Sequence, residues 1–216
     1  MPRNVKVLLF AASLRKESVN ARLASVVKSI VERLGVEADH ASMSDFDCPS
    51  YDQDAEVESM PQGAQRLRDR LLACDAFMIA SPEYNASMSG VIKNTIDWVS
   101  RFRPQPFNGK QGFLLSASPS MAGGNRGLWA LRVPLEHLGA RIYPDMFSLA
   151  QAHTAFADDG RLANERLLER LESTIGCFLE LVEAAKHYPA IKKHWVEFLG
   201  EKPDAATDRT ETAATR

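Results

Sequence analysis

The sequence lacks the features that direct a chain to membranes or nucleic acids. No apolar run approaches the length of a membrane span, and the N-terminal segment MPRNVKVLLFAAS has too short an apolar run for a signal peptide. We therefore expect a cytosolic protein with no membrane partner. The formal net charge is -2 at pH 7, so no basic field favours nucleic acid. Any bound phosphate would have to be captured by a local site.

Cysteine is also scarce. The three cysteines lie far apart and form no CxxC pair, so the sequence predicts neither a disulfide framework nor a zinc or iron–sulfur site. The simplest interpretation is that Cys48, Cys74 and Cys177 are buried or partly buried thiols. No metal-binding residue is predicted.

The chain does contain the alternation of strands and helices that is typical of an α/β domain. Its 216 residues are 45% hydrophobic and 25% charged, which suits one domain with a full core. Three short apolar runs, residues 5–11, 76–80 and 112–117, predict strands that are covered on both faces. Two weaker strands are predicted at residues 36–43 and 140–147. The last of these contains a proline, which favours the edge of a sheet.

Helical patterns follow these strands. They cover residues 18–35, 62–73, 90–101, 124–139 and 164–187. Five strand–helix units predict right-handed crossovers, and the flavodoxin-like order 2-1-3-4-5 places the two weaker strands at opposite edges. We therefore predict an α/β fold with a doubly wound five-stranded parallel sheet over residues 1–187. Pro134 should kink the fourth helix.

The C-terminal part of the chain changes in character. Residues 188–199 predict a separate amphipathic helix that packs on the body of the domain or on a partner subunit. Its apolar face would consist of Ile191, Trp195, Phe198 and Leu199. Residues 200–216 contain no large apolar side chain and predict a disordered tail.

In such a sheet, ligands bind beyond the carboxyl ends of the strands, here between strands 1 and 3. The loop after strand 1, residues 11–20, supplies Ser13, Arg15, Ser18 and Asn20. Free N–H groups and the dipole at a helix start attract phosphate, and an arginine can pair with it. Alternatively, Ser18 or Asn20 merely caps the helix and Arg15 is solvated. The absence of GKS, GKT and GxGxxG patterns disfavours nucleotide triphosphate chemistry.

The loop after strand 3 begins with the tetrapeptide Pro-Glu-Tyr-Asn. Tyr84 can offer a ring face, and the backbone of residues 82–85 with the Asn85 amide can pair with the edge of a heterocycle. The alternative is structural: Pro82 ends the strand, Asn85 caps a turn and Tyr84 packs at the surface.

The loop after strand 4 spans residues 116–127. Gly123 and Gly124 permit close approach of the backbone to a flat ligand, and Ser118 offers a hydroxyl. Ordinary loop flexibility would explain the glycines equally well. Three such loops at one crevice nevertheless favour a binding site.

Three motifs in chain order resemble the NAD(P)H-dependent FMN reductase family of flavodoxin-like proteins, which includes quinone, chromate and azo-dye reductases. SLRKESVN is similar to the family's GSLRxxSxN, SPEYNASMSGVIKNTIDWVSR to PEYNxSxPGxLKNAIDWxSR, and SASPSMAGGNRGLWALR to SxSPGxxGGxRAxxxLR. The match covers residues 5–185. Ala12 and Ser120 replace glycines of the family pattern, and Ser89 replaces a proline. A methyl group at Ala12 would alter the phosphate loop if that position needs a positive φ.

The resemblance implies bound FMN and assigns residues to it. The FMN phosphate would be held by Ser13, Arg15, Ser18, Val19 and Asn20. The isoalloxazine would be lined by Pro82, Glu83, Tyr84 and Asn85, and its other side closed by Ser118, Gly123 and Gly124. The resemblance also implies a homodimer or homotetramer in which Asp97, Trp98 and Arg101 face a partner chain; the alternative for these three is plain helix surface and packing.

The function implied is hydride transfer from NADPH or NADH through FMN to a small acceptor, such as a quinone, azo compound, metal oxyanion or free flavin. The cofactor carries the difficult chemistry, so no catalytic acid–base residue is assigned. One alternative is a flavodoxin-type electron carrier, against which the modest net charge and Arg15 both argue. Another is a flavin-free regulatory or interaction protein, with Ala12 as its first lesion.

Overall fold

The computed structural model describes the backbone of residues 4–198 and the side chains of residues 4–56 and 58–187. The strands are β1 (Lys6–Ala11), β2 (Glu37–Ala41), β3 (Ala76–Ala80), β4 (Glu83–Tyr84), β5 (Ser87–Met88), β6 (Gln111–Ala117), β7 (Arg141–Ile142) and β8 (Phe147–Leu149). The helices are α1 (Val19–Arg33), α2 (Gln53–Glu58), α3 (Gln62–Ala73), α4 (Gly90–Val99), α5 (Asn125–His137) and α6 (Glu165–Phe198). A 3-10 turn, Met43–Phe46, follows β2.

The main sheet is parallel, in the order β2-β1-β3-β6-β7, and β8 also pairs with β6. This confirms the predicted α/β, flavodoxin-like order. The prediction of one continuous fifth strand over residues 140–147 is wrong in detail. It is split into β7, which pairs with Gln111 and Gly112, and β8, which pairs with the end of β6. Pro144 lies in the gap, where its missing N–H breaks the ladder.

The sheet separates two hydrophobic layers. In β1, Val7 and Leu9 face the layer formed with α1 and α6, whereas Leu8 and Phe10 face the layer formed with α3, α4 and α5. All four side chains are at most 1% exposed. Burying one side chain of this size stabilises the fold by about 1.5–3 kcal/mol. The continuous apolar composition of the central strands therefore follows from helices covering both faces.

The last helix differs from the prediction of two segments, residues 164–187 and 188–199. The structure has one helix, α6, which continues through Pro189 to Phe198. The predicted apolar face of its second half lies outside the described side chains. Leu199 and the predicted tail, residues 200–216, lie outside the described residues. The division of the chain into a domain, a helix and a tail remains a prediction.

Three further observations concern the described residues. None of their helices is long and apolar enough to cross a bilayer. Among their side chains, no group of three or more His, Cys, Asp or Glu is placed to hold a metal ion. Cys74 is buried, and burial raises the pKa of its thiol to about 11. Cys48 is half-buried, but Cys177 is exposed, so the expectation that the three thiols are buried or partly buried is wrong for Cys177.

Candidate functional site

The loop after β1 ends at Ser18, which caps α1. Ser18 is extended (φ -79°, ψ 121°), and its Oγ accepts a hydrogen bond from the Ala21 N–H at 3.4 Å. The capping role is therefore present, and further N–H groups at the helix start have no partner within the helix. Val19 packs its side chain against the core. Through its backbone N–H, rather than its side chain, Val19 can contact an anion.

Arg15 and Ser13 lie in the same loop. Ser13 Oγ accepts from the Arg15 N–H at 3.3 Å, and the Arg15 guanidinium donates to the carbonyl oxygen of Glu17 at 3.4 Å. Arg15 is exposed and forms no ion pair with any side chain in the described part of the chain. Its charge is thus available to an anion at the loop.

Asn20 connects two of the three loops. It is 2% exposed, its Nδ2 donates to the Ala117 carbonyl oxygen at 2.9 Å, and its Oδ1 accepts from the Ala117 N–H at 2.8 Å. Both amide atoms thereby join the start of α1 to the end of β6. This arrangement assigns Asn20 a bridging role; direct contact with a phosphate remains a prediction.

The tetrapeptide after β3 forms a hairpin that the sequence did not predict. Pro82 is buried at its base, and β4 pairs antiparallel with β5. The two tip residues, Asn85 and Ala86, have positive φ values of 52° and 61°. A two-residue loop of this kind matches the right-handed twist of a hairpin. The signal was weak, because each strand has two residues and Asn-Ala lacks the usual glycine.

Glu83 fastens this hairpin to α5. Its side chain is 7% exposed, Oε1 accepts from Arg126 Nη2 at 2.6 Å and Nε at 2.9 Å, and Oε2 accepts from the Gly127 N–H at 3.2 Å. The N-cap of α5 is Gly124, which has no side chain, so Glu83 supplies the missing cap. Burial raises the pKa of Glu83, but the bonds from Arg126 and Gly127 outweigh it, so that pKa lies below its usual value. The carboxylate is therefore committed to α5, which leaves the backbone of Glu83 to line a ring.

The two glycines of the third loop have little room. A Cβ on Gly124, whose φ is +85°, would lie 1.9 Å from Ser116 Oγ. A Cβ on Gly123, whose φ is +61°, would lie 3.0 Å from Ser148 and from the Ala150 nitrogen. Close packing on the ends of β6 and β8 requires both glycines, so flexibility is not their main role.

Two hydroxyls beneath this loop were missed by sequence reasoning. Ser116 and Ser148 are register partners on β6 and β8, and the buried Oγ of each has no hydrogen-bond partner among the described residues. An unsatisfied buried hydroxyl costs about 1–3 kcal/mol. Both hydroxyls are covered by the glycine loop, so they are not open to a ligand in this structure. Nearby, Ser118 is half-buried, and its Oγ donates to Ser120 Oγ at 3.1 Å.

Two departures from the family pattern contact each other. Ser89 Oγ donates to the Ala12 carbonyl oxygen at 2.9 Å, and Ser89 is 1% exposed. A proline could not make this bond, which ties the first loop to the start of α4. Ala12 is fully buried and is not among the described residues with positive φ, so its methyl group causes no backbone strain.

The predicted partner-facing residues of α4 do not all face outward. Trp98 is 1% exposed and donates its ring N–H to the Pro49 carbonyl oxygen at 2.8 Å. The expectation that Trp98 faces a partner is therefore wrong, because its side chain fills the core of its own chain. Asp97 and Arg101 are in ion pairs within the chain. These are Asp97–Lys93 at 2.7 Å and Arg101–Glu56 at 2.8 Å.

An open cavity of about 360 Å³ joins the first loop to the hairpin. Its lining includes Ser13, Arg15 and Tyr84, together with Ser89 and Gly90 at the start of α4. Tyr84 is 46% exposed, so its ring is available to a ligand. The loop with Ser118, Gly123 and Gly124 does not line this cavity. The Asn20 bridge connects it to the first loop, and the contact of the hairpin with α5 connects it to the second.

The fold and this crevice define a flavodoxin-like α/β protein with an arginine, hydroxyls and an aromatic ring at the switch point of the sheet. Residues 5–154 match the family profile described as NADPH-dependent FMN reductase. An NAD(P)H-dependent FMN reductase of Pseudomonas aeruginosa is 34% identical over 81% of this chain and 94% of its own. The quinone reductase of Escherichia coli K12 is 30% identical over 86% of this chain and all of its own.

Among solved structures, the flavoenzyme FerB, an NAD(P)H:(acceptor) oxidoreductase from Paracoccus denitrificans, superimposes with a TM-score of 0.73. It is 30% identical, and the match covers 84% of this chain and 98% of FerB. The chain belongs to the NADPH-dependent FMN reductase family, and the resemblance found in its three motifs is confirmed. It is an oxidoreductase whose cofactor is FMN and whose electron donor is NAD(P)H.

The residues present fit FMN. Arg15, Ser13 and the start of α1 provide the positive charge and donors that a phosphate needs. Tyr84 provides an exposed ring that lines the same cavity. When bound, FMN supplies the capacity to accept a hydride and pass electrons on.

Proposed function

We propose that this enzyme transfers a hydride from NADPH or NADH, through FMN, to a small acceptor, and that a quinone is the first acceptor to test. The observation that supports the proposal is the cavity at the switch point, whose lining includes Arg15, Ser13 and Tyr84. The name of the quinone reductase relative supports a quinone as acceptor. Azo compounds, metal oxyanions and free flavin remain further candidates for the same open face.

The residues have separate roles in this proposal. Arg15 and Ser13 bind the phosphate with the N–H groups at the start of α1, including that of Val19. The backbone of residues 82–85 and the Tyr84 ring line one side of the isoalloxazine. The loop with Ser118, Gly123 and Gly124 closes the other side. The side chains of Asn20 and Glu83 hold these three loops in position through hydrogen bonds with backbone groups of distant segments.

Flavin binding and reduction test the proposal directly. The purified protein, incubated with FMN and freed of excess, should be yellow, and NADPH or NADH should bleach it under anaerobic conditions. A quinone should then restore the colour. A protein that stays colourless and oxidises neither nucleotide would contradict the proposal. A strongly stabilised blue semiquinone without NAD(P)H oxidation would indicate the electron-carrier alternative instead.

A matched pair of variants tests the phosphate loop. Arg15→Gln should weaken FMN binding about 10- to 100-fold, because it removes a charge-assisted contact with the phosphate. Arg33→Gln is the control, because Arg33 is an exposed arginine at the other end of α1 that pairs with Glu172. Titration of FMN fluorescence against each apoprotein measures both constants. Equal affinity of the two variants for FMN would show that Arg15 does not bind the phosphate.

The homodimeric or homotetrameric state and the cytosolic location remain predictions.

A further inference from the structure

A second open cavity, of about 590 Å³, lies on the other side of the first loop. The loop contributes Arg15 and Lys16 to its lining, and the end of β2 with the following turn contributes His40, Ser42 and Ser44. None of the described residues that line it is an aspartate or glutamate. Ligand sites typically occupy about 300–1,000 Å³, so this cavity has the size of one.

The cavity carries positive charge. Within the described side chains, neither Arg15 nor Lys16 forms an ion pair. The acidic side chains of β2 and the turn pair with other cations: Glu37 with Lys6 at 2.7 Å, and Asp39 and Asp45 with Arg70 at 3.7 and 3.4 Å. The cavity therefore suits an anion.

His40 adds a neutral hydrogen-bonding group. Burial lowers the pKa of His40, and the charge of Lys28 lowers it further, whereas Glu32 and Asp39 raise it. The balance keeps the imidazole uncharged at neutral pH, with one donor and one acceptor nitrogen. Leu14, which is 51% exposed, adds apolar surface to the same lining, against which a flat base can pack.

The position of the cavity relates it to the electron donor. The first loop is a shared wall, because Ser13, Leu14 and Arg15 line both cavities. The hairpin follows β3 and the glycine loop follows β6, and these strands lie two and three positions from β2 in the sheet. At about 4.8 Å per strand, the separation is about 10–14 Å. A dinucleotide whose nicotinamide lies at the flavin needs a place for its adenosine half at such a remove.

We propose that this cavity binds the adenosine half of NADPH, with Lys16 pairing with its 2′-phosphate and the hydroxyl pair Ser42–Ser44, joined at 2.7 Å, donating to it, while Arg15 stays with the FMN phosphate. This inference rests on the proposed function, which supplies the need for a nicotinamide nucleotide. It makes NADPH the preferred donor, since NADH has no group to pair with Lys16.

Binding of nucleotide fragments tests the cavity without catalysis. FMN-loaded protein is titrated calorimetrically with adenosine 2′,5′-bisphosphate and with 5′-AMP, which lacks the 2′-phosphate. The bisphosphate should bind at least tenfold more tightly, and Lys16→Ala should weaken it about tenfold by removing one charged hydrogen bond. Lys93→Ala is the control: it removes the same charge from a surface helix, but Lys93 pairs with Asp97 on α4 and does not line the cavity. It should bind the bisphosphate as the wild type does.

A kinetic ratio gives a second readout. The ratio of kcat/KM for NADPH to that for NADH should fall about tenfold in Lys16→Ala. The inference would be overturned if the bisphosphate displaces FMN or binds no more tightly than 5′-AMP. It would also be overturned if the two variants weaken binding of the bisphosphate equally. If NADPH is nevertheless oxidised, the proposed function survives that failure. If the bisphosphate binds as expected but neither nucleotide is oxidised, the cavity is supported and the proposed function fails.

Discussion

Ala86 is the residue in the least favourable backbone conformation of the candidate site. Its φ of 61° lies in the left-handed region, which an L side chain other than Asn or Asp rarely adopts. Ala86→Gly should therefore raise the free energy of unfolding by about 1 kcal/mol. Chemical denaturation at neutral pH measures the change. The control is Ala184→Gly in the exposed part of α6, which should lower the same free energy by about 1 kcal/mol; a loss at both positions would contradict the strain.

At the scale of single residues, the sequence did not predict which groups the functional side chains contact. The family pattern places Glu83 at the flavin, but its carboxylate bonds to Gly127, 44 positions along the chain. Asn20 likewise bonds to Ala117, 97 positions away. Both partners are backbone groups of distant segments, so no local pattern could name them. The loops that carry Ser13, Arg15 and Tyr84 were predictable, because strand order fixes which loops meet.

Among elements, the junction of the hairpin with α5 depends on one carboxylate. Because the pKa of Glu83 is lowered in the folded state, its stabilising effect is present above the unfolded pKa, near 4.5, and is lost as the pH falls through the folded value. Glu83→Gln should lower the free energy of unfolding by about 1–2 kcal/mol at pH 7. The difference from the wild type should shrink below pH 4.5.

Unfolding curves at pH 7 and pH 3.5 check this expectation. Glu136→Gln is the matched control, because Glu136 forms an exposed i,i+4 pair with Arg132 on the same helix. Such pairs contribute about 0.3–0.5 kcal/mol. A Glu83→Gln effect as small as that of the control, or one that is independent of pH, would show that the helix cap contributes little.

The sequence predicted some helices and strands correctly and missed others. The strand predicted at residues 76–80 is β3, because five consecutive buried apolar residues leave little ambiguity. The hairpin was missed because two-residue strands have no periodicity. The end predicted for the last helix near residue 187 was wrong, because α6 continues through Pro189, a residue that usually marks a boundary.

For the whole molecule, cofactor binding should appear as stability. A ligand that binds the folded chain alone stabilises it by about 2.7 kcal/mol at 100 times its dissociation constant. FMN should therefore raise the unfolding temperature, and riboflavin, which lacks the phosphate, should raise it less at the same concentration. Calorimetric scans of the apoprotein with each ligand measure the two shifts. Equal shifts would mean that the loop with Ser13 and Arg15 does not bind the phosphate.

The hairpin after β3 also suggests how to redesign the enzyme. Its base is immobilised by buried Pro82 and by the bonds of Glu83 to α5, whereas its tip, Asn85 and Ala86, is exposed. A library of substitutions or short insertions at the tip would reshape the rim of the crevice without disturbing the base. Acceptor range could thus be diversified at two neighbouring codons while the scaffold is kept.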